Sequence, residues 1–267
     1  MIIFFTLNFK LFIMKRLLLF GVFAFFSQLQ AQYIMGFEAS ESYRSGESIV
    51  GQNSWLGTSG TDAVITNELA KAGTQSLKIR GNGTYNITKS GISYPLSTTI
   101  SHSTIRVSFD FNIEPETDAD FYLAPVSSND FYAAYFVIAA EEMKLYVYQS
   151  DPEDATSIKG TVVDNVDLKS NEWHTIKLEI KKDQGVINYY YDEKLVFVGN
   201  TLAGTDLSKL YILNDNGYGS VNLDKLTLRG DDTLGVNDFK DELFSVYPNP
   251  VSDILKINSI VNSINLK

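Results

Sequence analysis

The chain contains no cysteine. Thiolate metal sites, cysteine nucleophiles and disulfide staples are therefore excluded, although the absence does not decide the compartment. Histidine is scarce as well, with 2 residues, His102 and His174. His102 lies in a Ser/Thr-rich loop. His174 shares the parity of Ile176 and Leu178, so it faces inward at a strand end, and a hydrogen-bonded structural role is expected. No serine sits in a G-x-S-x-G turn, and no glycine-rich loop precedes a helix, so neither a nucleophile elbow nor a P-loop is present. No block of like charge stands out. The net charge of -10 makes nucleic acid and anionic membrane surfaces poor partners. Helical periodicity is missing too, which leaves strands as the material of the fold.

What the chain does have is alternation. In Asn171 to Asn200, Ile176, Leu178 and Ile180 alternate with Lys177, Glu179 and Lys181. A period of two puts the apolar set on one face and the charged set on the other. Lys182 to Gly185 reads as a turn, Val186 to Tyr191 as a second strand, Asp192-Glu193 as a tight reversal and Leu195 to Val198 as a returning strand. The result is a three-stranded meander with Trp173 at its mouth. Thr104 to Ile113 is the cleanest strand, with Ile105, Val107, Phe109, Phe111 and Ile113 on one face. Strands are also expected at Ile34 to Glu38, Phe121 to Val126, Phe131 to Ala140, Met143 to Tyr148, Leu210 to Leu213 and Ser220 to Leu228. Leu77 and Ile79 fit an inward face, and Asp151 to Ser157 a polar loop. Many short strands with turn signals between them predict an all-β, two-sheet antiparallel jelly-roll sandwich. A domain of about 200 residues buries roughly 70% of its unfolded surface and needs no staple.

The ends carry a different message. Met14-Lys15-Arg16 followed by the apolar run Leu17 to Phe26 and the small residue Ala31 reads as a signal peptide cleaved after Ala31, with Met1 to Ile13 an over-long start. The run is shorter than the roughly 20 residues a spanning helix needs. The alternative, an uncleaved anchor over Ile2 to Phe26, carries Lys10, Lys15 and Arg16 inside it. The expected organisation is residues 1–31 as leader, 32–230 as the sandwich, 231–243 as a linker and 244–267 as a C-terminal module.

Three resemblances sharpen this reading. The Trp173-His174-x-Ile176 segment and the Tyr-x-Asp turn after it resemble the core of laminin-G-like and concanavalin A-like sandwiches, with Glu193 where that family usually has Gly. "GQNSWLGTSG" followed by "AGTQSLKIRG" resembles the opening of Bacteroidetes sandwich modules. Phe244 to Ile257, with Tyr247, Pro248, Asn249, Pro250 and Asp253, resembles the first motif of the type A sorting domain read by the type IX secretion system of Bacteroidetes. Pro248 and Pro250 fix φ and hold a turn there. That family's domain continues for several more strands, so a truncated sorting domain is expected. The resemblance implies a secreted or outer-surface protein that meets the type IX machinery and has no membrane span in the mature chain.

The same resemblances point to sites. Sugar-binding sandwiches use exposed aromatics as stacking platforms. Tyr146 and Tyr148 lie opposite Met143, Leu145 and Val147 in parity, and Tyr190 lies opposite Tyr189 and Tyr191. These three tyrosines are the expected ligand-binding residues, with a polysaccharide or cell-surface glycan as partner; the alternative is that Tyr is strand filler. Related sandwiches often hold a structural Ca²⁺ between first and last strands. Glu38 and Asp224 occupy those positions, and hard oxygen ligands suit the ion. The alternative is a solvated Glu38 and an Asp224 that marks a bulge, because apolar parity shifts from Val221/Leu223 to Leu226/Leu228 across it. Laminarinase-type enzymes of this fold carry E-x-D-x-x-E on one strand. The nearest stretch here is Glu116 to Phe121, where the last acid is Phe121 and Pro115 breaks the strand. The acid and nucleophile of glycoside hydrolysis are then not both supplied, and no catalytic residue is expected. The reading is a non-catalytic, carbohydrate-binding module. The alternatives are an adhesive protein-protein module and a degenerate glycoside hydrolase.

Overall fold

The computed structural model describes residues 32–57, 62–81, 90–151, 153–154, 157–164, 166–215 and 217–231, and the strands 244–247 and 256–259. The chain divides into two units, Met1–Asp231 and Asp232–Lys267. In the first, the strands are β1 (Gln32–Met35), β2 (Leu56–Gly57), β3 (Ala63–Thr66), β4 (Ser76–Arg80), β5 (Ser90–Ile100), β6 (Thr104–Ile113), β7 (Asp120–Val126) and β8 (Phe136–Ala139). They continue with β9 (Lys144–Ser150), β10 (Ile158–Val162), β11 (Trp173–Lys181), β12 (Val186–Tyr191), β13 (Lys194–Asn200), β14 (Leu207–Asp215) and β15 (Ser220–Asp231). An 8-stranded sheet runs β13-β12-β11-β6-β15-β4-β3, with β1 added beside β15. A 7-stranded sheet runs β10-β9-β8-β7-β14-β5-β2. Neighbouring strands pair antiparallel, so the chain is the two-sheet antiparallel jelly-roll sandwich that its alternation predicts.

Alternation builds the core directly. Ile176, Leu178 and Ile180 of β11 stand opposite Phe109, Val107 and Ile105 of β6, and all are buried. They meet Phe121 and Leu123 of β7, Phe136 and Ile138 of β8, Leu145 and Val147 of β9, and Leu210 and Ile212 of β14. The Phe109 and Phe136 rings stack with centroids 5.3 Å apart. Each such side chain contributes about 1.5–3 kcal/mol on full burial. Near the start of the chain, Trp55 is fully buried between Phe37 and Tyr94, and its indole N–H donates to the Tyr43 hydroxyl at 3.1 Å.

The reversals follow their residues. Asp192 and Glu193 both adopt positive φ, 46° and 64°, in the tight turn between β12 and β13. Glu193 therefore accepts a conformation usually left to Gly, at a cost of about 1 kcal/mol. The parity shift in β15 is a bulge between Asp224 and Thr227, with Lys225 at φ 50°. β15 runs on to Asp231, which pairs with Thr104, so this residue belongs to the sheet and not to a linker.

The structure also departs from the expected strands. Phe131 to Ala140 is not one strand: only Phe136–Ala139 is. Ser127 donates its N–H to the Phe131 carbonyl, and Asp130 takes φ 65°, which turns the chain before β8 begins. β5 and β10 escape the sequence pattern because they are Ser/Thr- and Lys/Gly-containing. Pro95 in β5 sits beside a register shift in the β5/β14 ladder, where a missing N–H is tolerated. The acidic stretch Glu114 to Asp120, where Pro115 argues for a turn, is irregular as far as Ala119, with Glu116 at φ 62°, but Asp120 already opens β7.

In the second unit β16 (Phe244–Tyr247) pairs antiparallel with β17 (Lys256–Ser259), and Tyr247 stands opposite Lys256. Pro248, Asn249, Pro250 and Asp253 lie outside the described residues, as does the whole leader 1–31. Among the described residues no helix is long and apolar enough to cross a membrane.

Candidate functional site

The outer face of the 7-stranded sheet is built by strands whose inward residues fill the core. In β9, Leu145 and Val147 go in, so Tyr146 and Tyr148 come out. In β7, Phe121 and Leu123 go in, so Tyr122 comes out. Register then lines these up. Tyr146 stands opposite Val137 of β8 and Val162 of β10, and Val137 stands opposite Tyr122. Tyr148 stands opposite Gly160, and its N–H donates to the Tyr135 carbonyl at 3.0 Å. Ala124 and Tyr211 continue that row across β7 and β14.

The rings join into one surface. The Tyr135 ring lies 4.5 Å from Tyr148, 5.1 Å from Tyr132 and 5.9 Å from Tyr122, centroid to centroid. Tyr148 lies over Gly160, where an added Cβ would meet its ring carbons at 3.0 and 3.1 Å. The absence of a side chain at 160 lets the ring lie on the sheet. Tyr146 donates its hydroxyl to Glu142 Oε2 at 2.8 Å, and Lys144 pairs with the same oxygen at 3.0 Å. Both phenols are pushed up from the ordinary tyrosine range. For Tyr146 the cause is chiefly its bond to Glu142, and for Tyr148 it is burial. The phenols thus stay protonated at neutral pH, beside the Glu142–Lys144 pair and the Asp120 carboxylate.

The next pair on this face beyond Tyr148/Gly160 is Ser150/Ile158. There the face ends in a cleft of about 360 Å³, lined by Phe131, Tyr132, Ser150, Ser157, Ile158, Leu202 and Ala203. Phe131 and Ile158 are 55% and 46% exposed. Three groups fix the segment after β13 across the cleft's end. Ser150 Oγ donates to the Thr201 carbonyl at 2.5 Å, Gly204 N–H donates to the Tyr132 carbonyl at 2.8 Å, and Asp206 accepts from the Ser128 N–H and hydroxyl, both at 2.7 Å.

Of the three tyrosines read from the sequence, Tyr146 and Tyr148 share this face. Tyr190 does not. It lies on β12 in the other sheet, where its hydroxyl donates to Glu179 at 3.2 Å and Lys177 Nζ stands 4.6 Å over its ring. Its outward parity was legible, but the sheet it belongs to was not. Tyr122, Tyr132 and Tyr135 were missed. Tyr122 carried a signal, its parity against Phe121 and Leu123. Tyr132 and Tyr135 carried none, because they lie in the turn that looked like strand.

Glu38 and Asp224 do meet common ground, but it is peptide. Asp224 is fully buried; its Oδ2 accepts the N–H groups of Lys71 and Ala72 at 2.8 and 2.9 Å, and its Oδ1 accepts that of Lys225 at 2.7 Å. Glu38 accepts the N–H groups of Thr74 and Gln75 and the Thr74 hydroxyl, at 2.9–3.0 Å. Both acids anchor the segment 71–75. Donor N–H groups surround the oxygens that a Ca²⁺ ion would need, so this donor set does not fit the expected shared cation. Among the described residues, no group of three or more His, Asp or Glu is placed to hold a metal ion. Burial pushes the Asp224 carboxyl up, and its cross-strand partner Asp110 adds to the shift against the three backbone donors.

His174 has the expected structural place. It is buried between Phe111 and Tyr191, with Nδ1 2.6 Å from the Tyr191 hydroxyl and 3.1 Å from Asp192 Oδ2, and its Nε2 accepts the Lys169 N–H at 3.3 Å.

No family model matches the chain, and no curated protein matches it. Solved structures do. A cellulose-induced protein is similar with a TM-score of 0.53 at 11% identity, over 75% of this chain and 98% of that one. An endo-β-1,4-glucuronan lyase from the fungus Trichoderma reesei is similar with a TM-score of 0.50 at 14% identity, over 72% of this chain and 96% of that one. A sialidase matches with a TM-score of 0.55 at 11% identity, over 76% of this chain but 19% of the sialidase. At these identities the likeness is one of fold, a β-sandwich shared with proteins of diverse names.

Proposed function

We propose that the sandwich is a non-catalytic carbohydrate-binding module, and that the protein works outside the cell or on its outer surface. One observation carries the reading: the tyrosine face in which Tyr135 meets Tyr122, Tyr132 and Tyr148, with Tyr146 on the same side of β9, and which ends at the cleft beside Tyr132. A pyranose offers an apolar C–H face edged by hydroxyls. Flat phenol rings suit the first, and phenol and serine hydroxyls suit the second. Support comes from the similar structures, since a glucuronan lyase and a sialidase bear glycan-directed names. The non-catalytic part rests on the acidic stretch. Glu116 and Asp118 sit in a turn ahead of β7, and the third position is Phe121, which is buried in the core. The surface location rests on the signal-like leader and on the Tyr247-to-Asp253 motif, through which the type IX machinery would export the chain.

The test is affinity electrophoresis of the sandwich against plant, algal and bacterial polysaccharides. At least one should retard it. Tyr148→Ala should weaken that binding roughly 30-fold, the equivalent of about 2 kcal/mol for a central aromatic. Its melting temperature should stay close to wild type, because Tyr148 is only half-buried. If no glycan retards the protein, or if Tyr148→Ala binds as wild type does, this reading is wrong.

A further inference from the structure

We infer that the cleft beside Tyr132 seats the terminal residue of a neutral glycan, with the rest of the chain lying back over Tyr148 and Tyr135. The inference rests on the carbohydrate reading and adds which part of the polymer is recognised, and of what charge. The first argument is closure. The wall formed by Thr201 to Asp206 is tied at several points: to Ser150, to the Tyr132 backbone, and to Ser128. At Gly204 an added Cβ would lie 2.6 Å from the Tyr132 backbone, so the wall packs directly onto the aromatic segment it faces. A glycan lying over the tyrosines toward Ser150 reaches this tied segment at the cleft. The second argument is size. At about 360 Å³ the cleft is near the lower bound, roughly 300 Å³, of ligand sites, which suits a chain end better than a long stretch of polymer.

The third argument is charge. The cleft lining is aromatic, aliphatic and hydroxyl-bearing, with no acid or base among it. Around the tyrosine face, Lys144 is paired with Glu142, and Lys209 with Asp130. A uronate or sulfate entering here would lose water and gain no cation, which is costly. A neutral sugar loses nothing of that kind. Tyr132 and Phe131 offer it apolar faces, and the Ser150 and Ser157 hydroxyls lie within the same lining.

The experiment uses cello-, manno- and laminari-oligosaccharides, each free or capped by a 4,6-benzylidene acetal at the non-reducing end or as a methyl glycoside at the reducing end. Calorimetry measures their binding beside that of the parent polysaccharides. The variant is Ala203→Trp, which fills the cleft from an exposed position and leaves Tyr148 untouched. Short free oligosaccharides should bind about as tightly as the polymer, with stoichiometry set by chain ends. Capping one terminus should weaken binding at least tenfold, and so should Ala203→Trp. Pectin and alginate should bind at least tenfold more weakly than the neutral glycans. Oligosaccharide binding that survives capping of either terminus, or polymer binding that survives Ala203→Trp yet is lost in Tyr148→Ala, would overturn this inference and leave the carbohydrate reading standing. Tight binding to the uronates would also overturn it. If no saccharide binds at all, the carbohydrate reading falls, and this one with it.

Discussion

Asp224 shows how one residue can look like a ligand and serve as an anchor. A buried carboxylate in a last strand is costly unless its oxygens are satisfied. Here three backbone N–H groups satisfy them. Asp224→Asn keeps one acceptor oxygen and removes the repulsion from Asp110, so its melting temperature should stay within a few degrees of wild type. Asp224→Ala leaves the Lys71 and Ala72 N–H groups without partners, at about 1–3 kcal/mol each, and should lower the melting temperature by several degrees at least. Calcium distinguishes the two roles. With the oxygens held by N–H donors, wild type should melt alike in EDTA and in millimolar Ca²⁺. A clear rise with Ca²⁺ that Asp224→Asn abolishes would restore the cation.

Among the elements, β12, β11, β6 and β15 carry a polar ladder on the outside of the 8-stranded sheet. Asn188, Glu179, Arg106 and Arg229 stand in register across β12, β11, β6 and β15. Glu179 is nearly buried, which by itself would raise its carboxyl. Bonds from Arg106, Lys181 and Asn188 outweigh that and hold it at about 2, below its ordinary 4.5. A depressed carboxylate contributes stability that is fully present above its unfolded value and is lost as pH falls toward its folded value. Acid should therefore begin to weaken the sandwich below about pH 4.5, with the contribution gone near pH 2. Glu179→Gln should cost about 1.5–3 kcal/mol at neutral pH by urea unfolding. The gap to wild type should shrink toward pH 2. A gap that stayed constant with pH would show that the charge of Glu179 is not what matters.

On the scale of the molecule, the buried apolar core among the described residues runs from Met35 to Leu228, all of it in the first unit. A chain cut after Asp231 should therefore keep the melting temperature of the full protein and unfold in one transition. A fall of many degrees, or two separated transitions, would contradict that unit.

Much of the fold was legible because alternation is a local property. The inward sets of β6 and β11 can be read residue by residue, and so can the bulge at Asp224, because a side chain's face depends only on its neighbours in sequence. The tight reversal at Asp192-Glu193 was legible for the same reason. The tertiary structure decided which strands share a sheet. The meanders pair neighbours in sequence, but β6 with β11 and β15, and β14 with β5 and β7, pair across long stretches, and no local pattern chooses between those partners. Tyr148 and Tyr190 carry the same outward signal, yet one joins the tyrosine face and the other an ion-paired ladder on the opposite sheet. Tyr132 and Tyr135 enter the site only because the turn at Asp130 re-aims them. Glu38 and Asp224 lie far apart in the chain, and only folding brings the N–H groups of residues 71–75 onto their oxygens. The sequence by itself determined the sandwich and the outward tyrosines; long-range pairing decided which of those tyrosines stand together.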